Sequence, residues 1–500
     1  MNIIFSLKPW LQAIIAGFIT GLSFHPLNIG FFSWFSFIPL FHIFLISNLK
    51  QNLINGYVFG LSFNLTAFYW IGSNSGADSL TVVGSLIAAT SYLAIFWLIG
   101  GFLFSLLPLE RRRTSGSILF PFLIVSIEWL RSFGPLGFPW ANLALSQSKY
   151  NFFIQYIDLT GSYGVSFIVI SFNVIFYHII QNNISLKNGL SFITVIIFGI
   201  SITGWSKIQN LPNSNKIVNV AIVQPNVDPN IKWQNKKKII SFMDSLHLEA
   251  VNLNPDLVVF PETALPSYLV RDSRTRNMLQ KTVNYHNVPL ITGTIHTSFE
   301  MNKRYYFNSS MFIKPNEKFN LYSKIHLVPF AEYDLFPAFF HPLSKLNINI
   351  DRGNFKAGDN YTIFEFNDYL FSNLICYESS IPDVSRKFVE QGAEFLVIQA
   401  NDGWLKGSYG PDQHFELARL RAIENRVPII RSANTGISGV ITPDGKIQNK
   451  IKIDQEKIIM ERVNLSESGS FYTKFGDIFA LFCFLITSIS TLYSCKERFL

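Results

Sequence analysis

The chain has 500 residues, of which 49% are hydrophobic and only 15% are charged. This composition is too apolar for an ordinary soluble protein, so we expect part of the chain to lie in a lipid bilayer. The formal net charge is +8, but the basic residues are spread along the chain and form no patch with interleaved aromatic side chains. That distribution argues against binding to nucleic acid and favours membrane lipid headgroups as neighbours.

Long apolar stretches predict membrane-spanning helices, since a hydrocarbon core about 30 Å thick needs roughly 20 mainly apolar residues in helical form. The first stretch follows Lys8 without a small-residue cleavage site, so we interpret it as a retained helix and not as a signal peptide. Glu128 lies within an otherwise apolar stretch and is expected to face the interior of the bundle or its interface. The predicted spans are 10–25, 30–47, 53–73, 81–107, 117–132, 162–180, 190–206 and 475–493.

The distribution of Lys and Arg between short loops predicts the orientation of these spans. Basic residues occur at 110–113, at Lys187 and in the tail 496–500, whereas the loop 74–80 has none. We therefore expect the three segments with basic residues on the cytoplasmic side of the membrane and the loop 74–80 on the outer side. The predicted organisation is a bundle of seven transmembrane helices over 1–209, an outer domain over 210–472, and a last helix with a cytoplasmic tail over 473–500.

The segment 210–472 has the alternating pattern of an α/β domain. Short β-branched runs alternate with stretches of helical periodicity such as 234–252 and 412–425, which predicts mixed sheets covered by helices. The predicted strands fall within 217–224, 256–262, 288–295, 370–378, 393–401 and 427–434.

Polar residues interrupt or end three apolar runs of this domain, and strand ends beside a crevice are where α/β proteins place their chemistry. VVFPETALP contains Glu262, LYSKIHLVPFAEYD contains Lys324 and Glu332, and LICYESS contains Cys376. A nucleophilic thiol needs a base to remove its proton and a cation to favour the thiolate or the developing oxyanion. A glutamate can act as the base and a lysine as the cation, so no histidine is needed.

Each of these residues taken alone has a structural interpretation. A lone Cys is more often a small buried hydrophobic residue, Glu262 can end a strand or cap a helix, and Lys324 can be a surface cation. The chain has three cysteines, too few for a disulfide framework, and Cys376 is the one outside a long apolar run or a terminus. We therefore expect a free thiol at Cys376, and the three residues in this order favour catalysis.

The motifs resemble a known superfamily. PETALP around Glu262, YSKIHLVPFAEY around Lys324 and Glu332, and ICYES around Cys376 resemble the three catalytic segments of the nitrilase, or carbon-nitrogen hydrolase, superfamily. With seven leading helices and one trailing helix, the whole chain is similar to one family within it, the apolipoprotein N-acyltransferases. The runs NDGWLKGSYGPDQH and VQPNVDPNIKW favour that family over soluble relatives. Ala331 stands where the family motif has Gly.

The resemblance implies a membrane bundle of about eight spans joined to an αββα sandwich in the periplasm, held in the bacterial inner membrane. It implies a catalytic triad of Glu262, Lys324 and Cys376 that transfers an acyl chain through a cysteine thioester in a ping-pong reaction. The implied donor is a phospholipid, usually phosphatidylethanolamine, and the implied acceptor is the α-amine of a diacylglyceryl-modified N-terminal cysteine on an apolipoprotein. This is the final step of bacterial lipoprotein maturation. The supporting or substrate-binding residues are Glu332, Glu378, Tyr377, Trp233, Asn401 and Trp404.

No metal or other cofactor is expected, because the nine histidines show no ligand spacing such as HExxH and the chain has neither GxGxxG nor a Walker loop. Two alternatives stay open at this point. One is a membrane-anchored amidase that passes the acyl group to water, and the other is a transporter with an outer binding domain. The apolar stretch LFPAFFHPL at 335–343 is expected to be either a lid that admits acyl chains or an ordinary buried loop.

Overall fold

The computed structural model describes residues 2–211, 216–300, 303–333, 355–465 and 469–499. The chain divides into two compact units. The first unit comprises 1–72, 82–210 and 475–500, and the second comprises 73–81 and 211–474. The predicted lid at 335–343 lies outside the described residues.

The first unit is helical, and a helix overlaps each of the eight predicted spans. Four helices are apolar and long enough to cross a membrane, judged by length and composition. They are Ser79–Ser105 (α4), Tyr163–Ile180 (α6), Leu186–Gln209 (α7) and the closing helix, which begins at Ile478. Helices α1 and α5 and the apolar segment Gly30–Ile46 are shorter, and α3 carries three buried asparagines along its 20 residues. Four of the eight predicted spans therefore meet the length and hydropathy of a membrane-crossing helix. The helices are α1 (Pro9–Leu22), α2 (Ile38–Ile46), α3 (Leu49–Phe68), α4 (Ser79–Ser105), α5 (Ser115–Leu130), α6 (Tyr163–Ile180), α7 (Leu186–Gln209) and the closing helix Ile478–Phe499.

Buried polar side chains of the first unit bond to backbone groups at helix ends. Asn173 donates from Nδ2 to the Ser33 carbonyl at 2.8 Å. Glu128 is buried, as its position in an apolar span predicted, and Oε1 accepts the Leu143 N–H at 2.9 Å. These bonds matter because the last carbonyls and first N–H groups of a helix have no partner within it. Arg112 is likewise buried and donates to the carbonyl oxygens of Leu107 at 3.1 Å, Phe44 at 3.3 Å, Ser47 at 2.6 Å and Ser105 at 3.0 Å.

Two six-stranded sheets form the centre of the second unit. In each, three parallel strands, β1–β2–β3 and β7–β8–β9, are flanked by antiparallel ones. The strand orders are β12-β1-β2-β3-β4-β5 and β11-β10-β9-β8-β7-β6. The strands are β1 (Ile217–Gln224), β2 (Leu257–Val259), β3 (Leu290–Glu300), β4 (Lys303–Ile313), β5 (Asn320–Ser323), β6 (Phe364–Phe366), β7 (Tyr369–Ile375), β8 (Phe395–Ala400), β9 (Ile429–Ala433), β10 (Ser438–Ile441), β11 (Ile447–Ile451) and β12 (Lys457–Asn464).

The sheets pack face to face, and helices cover their outer faces. Strand β1 shows why: Val220 and Ile222 join the core shared with the second sheet, whereas Ala221 and Val223 pack with Met243 of the covering helix. Successive strand residues point to opposite faces, so a strand that is apolar on both faces must be covered on both. The predicted αββα sandwich is confirmed. The covering helices are α8 (Lys236–Val251), α9 (Ser273–His286), α10 (Pro382–Glu390) and α11 (Gly410–Asn425).

The first and last strands of the second unit are neighbours. Strand β1 pairs antiparallel with β12, and Ile217 lies opposite Asn464. The Leu465 N–H donates to the Lys216 carbonyl at 3.0 Å, which extends the pairing beyond the strands. Both ends of the unit therefore lie at one edge of the first sheet.

Candidate active site

Cys376 follows the last residue of β7 and begins a single 3₁₀ turn, Cys376–Ser380. Its φ of +51° lies in the left-handed region, which a residue with a side chain rarely adopts. Such a conformation persists only where the surroundings hold it, and it is common at active sites. The side chain keeps partial access to solvent.

Glu262 follows β2 at the equivalent edge of the first sheet, and its side chain is buried. The next residue, Thr263, also has a left-handed φ of +43°. This backbone passes so close to Gly293 that a Cβ there would lie 2.3 Å from the Thr263 nitrogen. A glycine at 293 is therefore required for Glu262 to take its place.

Lys324 follows β5 and is almost completely buried. Its backbone is fixed on both sides, since its N–H donates to the Asn308 carbonyl and its carbonyl accepts from the Gly358 N–H, each at 2.8 Å. Its Nζ forms an ion pair of 2.7 Å with Glu332 Oε2. Burial opposes a charge on Lys324, but Glu332, Glu262 and Cys376 outweigh it and raise the pKa of the ammonium. Lys324 therefore stays protonated.

Asn308 in β4 joins the two carboxylates of the site. Its Nδ2 donates to Glu262 Oε1 at 2.7 Å and to Glu332 Oε1 at 2.8 Å. The Glu262 carboxylate also takes part in a hydrogen bond with Cys376. The structure thus brings Glu262, Lys324, Glu332 and Cys376 together, with Asn308 as a fifth member.

The electrostatics of the cluster suit proton transfer. Burial raises the pKa of Glu262, and Glu332 adds to that shift, whereas Lys324 and the hydrogen bonds from Asn308 and Cys376 oppose it. Burial and the Glu262 charge raise the pKa of the Cys376 thiol well above its usual value, against the pull of Lys324. The resting pair is therefore a thiol next to a carboxylate of increased basicity, with a permanent cation beside both.

Glu378 was predicted as a supporting or substrate-binding residue. Its buried carboxylate bonds to the backbone beside Lys324 and beside Cys376. Oε1 accepts from the Ile325 N–H at 2.7 Å, directly after Lys324, and Oε2 accepts from the Ile375 N–H at 2.8 Å, directly before Cys376. It therefore holds the segments that carry both residues. Oε1 also accepts from the Tyr322 hydroxyl at 2.7 Å and the His326 N–H at 3.1 Å.

The remaining predicted residues lie around this centre. Tyr377 is buried, and its carbonyl accepts from the Ser380 hydroxyl at 2.7 Å. Asn401 directly follows β8, and its Oδ1 accepts from Asn434 Nδ2 at 3.0 Å.

The two predicted tryptophans lie further out. Trp233 is 43% exposed and its ring lies 5.6 Å from that of Tyr268. The Trp404 carbonyl accepts the Ser75 N–H at 2.9 Å, a contact from the segment 73–81. Within the described ranges, no hydrogen bond joins either indole ring to Glu262, Lys324 or Cys376.

A second group of buried polar residues lies behind Cys376. His414 Nε2 is 3.0 Å from the Cys376 carbonyl oxygen and 2.8 Å from Ser379 Oγ. His414 Nδ1 is 2.7 Å from Asp402 Oδ1, and Arg431 Nη2 lies 2.8 Å from Asp402 Oδ2. Cys376, Asp402 and His414 bring possible metal-ligand atoms within 4.8 Å of one another. Because protein groups already contact both ring nitrogens and both carboxylate oxygens, we interpret the group as a hydrogen-bonded chain.

Lys232 is a second buried cation near the base. Only 3% of the residue is exposed, and its Nζ donates to the Thr263 carbonyl at 2.8 Å, one residue beyond Glu262. Burial lowers the pKa of Lys232 to about 8, although the Glu262 charge opposes the shift. Lys232 thus fixes the backbone that carries Glu262.

Sequence reasoning missed Asn308, Lys232 and the chain of His414, Asp402 and Arg431. A signal existed for Asn308, because NSS interrupts the otherwise apolar run YYFNSSMF of β4. Asp402 and His414 lie in the run NDGWLKGSYGPDQH, whose tryptophan and asparagine drew attention first. Lys232 directly precedes Trp233, and nothing in its local sequence distinguishes it from a surface lysine.

The chain is similar to known proteins over most of its length. Residues 219–472 match the family described as carbon-nitrogen hydrolase, and residues 16–175 match the apolipoprotein N-acyltransferase N-terminal domain. A Geobacter metallireducens protein named apolipoprotein N-acyltransferase is 30% identical over 491 residues, covering 95% of this chain and 93% of its own. A Rickettsia prowazekii protein of the same name is 30% identical over 477 residues, covering 90% of each chain. A solved carbon-nitrogen hydrolase from Helicobacter pylori G27 covers 54% of this chain and 94% of its own, at 16% identity and a TM-score of 0.40.

Proposed function

The chain belongs to the apolipoprotein N-acyltransferase family, and on that premise we propose how its site carries out the acyl transfer. The enzyme is an acyltransferase that acylates lipoproteins at nitrogen. One observation carries the proposed mechanism: Glu262, Lys324 and Cys376 converge from the strand ends of two sheets on a single buried cluster. Glu262 is the base, Lys324 the fixed cation and Cys376 the nucleophile.

In the first half-reaction, Glu262 takes the proton of the Cys376 thiol, and the sulfur attacks the carbonyl carbon of a phospholipid acyl ester. Negative charge moves to the carbonyl oxygen and is stabilised by the Lys324 ammonium, which stays protonated because three acidic neighbours raise its pKa. The tetrahedral intermediate collapses, the C–O bond breaks, and Glu262 returns the proton to the leaving alcohol oxygen. The products are a Cys376 thioester and a lysophospholipid.

In the second half-reaction, the α-amine of a diacylglyceryl-modified N-terminal cysteine attacks the thioester carbon. Glu262 accepts a proton from the amine as the C–N bond forms. The C–S bond then breaks, and Glu262 passes the proton to the sulfur, which restores the thiol and the carboxylate. The raised pKa of Glu262 suits it to these proton transfers, because an acid–base group works best when its pKa lies near the working pH. Amide formation at the N-terminus is the final step of bacterial lipoprotein maturation.

Three further residues keep this geometry. Glu332 pairs with Lys324, and Asn308 holds Glu332 and Glu262 at a fixed separation. Glu378 ties the backbone at Ile325 to that at Ile375, so the cation and the nucleophile move as one body. We assign all three a positioning role, because their bonds are to the triad or its backbone.

We propose the bacterial inner membrane as the location, with phosphatidylethanolamine as donor and the second unit in the periplasm. The four long apolar helices support a membrane protein. A bundle of eight spans follows if the shorter apolar helices also cross, and the basic loops at 110–113 and Lys187 favour a cytoplasmic N-terminus. A lipid donor explains why a nitrilase-like domain is joined to such helices, which a hydrolase of soluble amides would not need.

The experiment uses the purified full-length chain in detergent with phosphatidylethanolamine and a diacylglyceryl-cysteine peptide. We expect a thioester sensitive to hydroxylamine with the phospholipid alone, and transfer to the peptide amine when the peptide is added. Release of free fatty acid without peptide acylation would identify a hydrolase. Lack of both reactions would contradict any catalytic function, and acylation without a trappable thioester would contradict the ping-pong route.

A further inference from the structure

Strand β4 leads from the reaction centre to an arginine that the mechanism above does not use. Side chains two residues apart on a strand point to the same face. Asn308, which donates to Glu262, therefore shares a face with Tyr306 and Arg304. Each step of two residues along a strand covers about 7 Å. This face of β4 thus extends the site outward, and Arg304 at its far end is exposed.

The Arg304 side chain lies over aromatic rings on this face. Its guanidinium carbon is 5.1 Å from the centre of the Tyr306 ring and 6.0 Å from that of Phe299, which lies opposite Arg304 on β3. It therefore folds back along β4 in the direction of Asn308. Arg271, exposed between β2 and α9, reaches the same ring, and its guanidinium carbon lies 4.9 Å from the centre of Phe299. Two cations thus share one aromatic ring.

Neither of these two charges is neutralised within the part of the chain that the structure describes. No ion pair or hydrogen bond joins either guanidinium to a protein group there. Asp272 directly follows Arg271, but its carboxylate accepts from the hydroxyls of Ser267 at 2.7 Å and Thr275 at 2.8 Å and lies 3.6 Å from Lys236 Nζ. A guanidinium that rests on a ring through its flat face keeps the N–H groups at its edge free to donate.

The chemistry of the proposed substrates indicates what these donors bind. Arginine binds phosphate oxygens through two parallel N–H bonds, which makes it well suited to a phosphodiester. A phospholipid carries its phosphate and its acyl esters on one glycerol, so the phosphate lies only a few bonds from the ester that Cys376 attacks. The diacylglyceryl-cysteine acceptor has esters but no phosphate. A phosphate site beside the triad would therefore distinguish the donor from the acceptor.

We propose that Arg304, with Arg271 beside it, binds the phosphodiester of the phospholipid donor while the acyl ester lies at Cys376. The two arginines are then specificity-determining residues that select a phospholipid among acyl esters. The rings of Phe299 and Tyr306 hold the guanidinium groups in place. The inference rests on the proposed acyl transfer from a phospholipid to Cys376.

The test follows thioester formation in a single turnover with the full-length chain in detergent, at increasing mole fractions of phosphatidylethanolamine in the micelles. Arg304→Gln should raise the half-saturating mole fraction about tenfold with little change in the maximal rate, because the lost bonds hold the phosphate and not the reacting ester. Arg271→Gln should raise it about threefold. Arg304→Lys keeps the charge but loses the two-pronged geometry, and we expect an increase of about fivefold.

Arg274→Gln is the matched control, because Arg274 is also exposed, lies three residues after Arg271, and stacks on no ring among the described residues. Its saturation curve should equal that of the parent. If Arg304→Gln behaves like this control, the proposal is wrong. If Arg304→Lys restores the parent curve in full, the arginines provide only a general attraction to the lipid surface, and the specific phosphate site is refuted.

A donor without phosphate separates recognition from a structural effect. Dioleoylglycerol carries the same kind of ester on the same glycerol, so Arg304→Gln and the parent should acylate from it at equal rates. A loss of the same size with both donors would mean that Arg304 supports the reaction centre or the fold, and would overturn the assignment.

A binding measurement makes this proposal independent of acyl transfer. Glycerophosphoethanolamine, the headgroup without acyl chains, is titrated into the full-length protein by calorimetry. The parent should bind it, and the double variant Arg271→Gln, Arg304→Gln should bind it at least about tenfold more weakly. Equal binding, or none by the parent, contradicts the phosphate site. A parent that binds the headgroup but forms no thioester would instead refute the acyl-transfer mechanism and leave the phosphate site standing.

Discussion

Two groups of buried polar side chains, one in each unit, have different kinds of partner. In the helical unit, Arg112, Asn173 and Glu128 bond to backbone groups near the ends of helices. In the α/β unit, Asn308, Glu262, Glu332 and Lys324 bond to one another. The first arrangement satisfies peptide groups that would otherwise be buried without partners. The second holds charges close together at a cost in desolvation, which stability alone does not require.

This difference separates structural from functional buried polar residues. A buried polar side chain that bonds to backbone groups away from a catalytic site contributes mainly to folding. A cluster of ionisable side chains whose partners are each other, at the ends of strands, indicates chemistry. Substitutions should therefore affect stability in the helical unit and reaction rate in the α/β unit, and the following experiments test that division.

The largest effect is expected from Cys376→Ser. A serine hydroxyl is far harder to deprotonate than a thiol, so acyl transfer should fall by roughly 10³-fold or more while the melting temperature stays close to that of the parent. Transfer is measured with the diacylglyceryl peptide and unfolding by near-UV circular dichroism. Cys495→Ser, at the other partly exposed cysteine, is the control and should retain full activity. Full activity in Cys376→Ser would remove it as nucleophile.

Glu262→Gln should come next, with a loss of roughly 10²- to 10⁴-fold in the rate of thioester formation, because the amide cannot accept the thiol proton. In the parent, the rate should fall with decreasing pH as Glu262 takes up a proton. Since its pKa is raised by burial, this acid limb should lie above the range of an ordinary carboxyl group. Glu249→Gln, on the exposed face of α8, is the control. An acid limb at the position of a free carboxyl would contradict the assignment.

Arg112→Leu should have the largest effect on stability and little on chemistry. Its loss removes a donor from four carbonyl oxygens, of which the Phe44 carbonyl keeps its bond from Asn52, and this should lower the free energy of unfolding by about 2 to 4 kcal/mol. The specific activity of the folded fraction should remain that of the parent. The control is Arg111→Leu, since Arg111 is exposed. Equal melting temperatures for the two variants would show that the buried contacts of Arg112 do not support the helices.

Asn308→Leu should lower the rate of thioester formation by about 10- to 100-fold, equal to roughly 1.4 to 2.8 kcal/mol in the barrier. The substitution removes the donor shared by Glu262 and Glu332 and leaves two carboxylates close together without it. The neighbouring Ser309→Ala is the control, because Ser309 bonds to Ser323 and not to the carboxylates. If both variants lose activity equally, strand β4 acts through packing alone.

Lys232→Met should have the smallest effect, a loss of about 3- to 10-fold in rate from weaker anchoring of the Thr263 carbonyl. The folded protein lowers the pKa of Lys232 to about 8, so it favours the neutral amine, and burial of the charged form costs stability below that pH. The variant should therefore melt no lower than the parent at pH 7. An inflection near pH 8 in the parent's rate profile should also disappear. The exposed Lys237→Met is the control.

The sequence predicted the parts of the molecule that depend on local pattern. Hydropathy located a helix at each of the eight predicted spans, and alternation of β-branched runs with helical stretches predicted an α/β domain with mixed sheets. The αββα arrangement itself was implied by the resemblance to the nitrilase superfamily. Glu262, Lys324, Glu332 and Cys376 were found because each stands at or near the end of a short apolar run, next to residues of distinctive type. Local pattern singled these residues out, and the resemblance to the nitrilase superfamily implied their roles.

Contacts between side chains far apart in the sequence could not be predicted from local pattern. Asn308 meets Glu262 only because β4 lies beside β3 in the first sheet, and His414 meets Cys376 across a separation of 38 residues. Glu378 was predicted as a supporting residue, and its carboxylate accepts from the backbone N–H next to Lys324. Its four N–H and O–H donors could not be predicted from the motif ICYES. Arg112 was counted among the charges of an exposed loop, whereas the structure buries it. Hydropathy gives no information on which arginine of a run turns inward.

The pairing of β1 with β12 has a consequence for how such a protein can be assembled in evolution or in the laboratory. Because Ile217 lies opposite Asn464, the chain enters and leaves the α/β unit at adjacent points. A domain with adjacent termini can be inserted between two existing segments, or replaced by a short linker, without stretching either neighbour. The same property suits it to circular permutation, with the old termini joined and new ones in the exposed turn at 316–318 between β4 and β5. The unit thus has the connectivity of an insertion, which is consistent with a soluble hydrolase fold having been placed between two membrane helices.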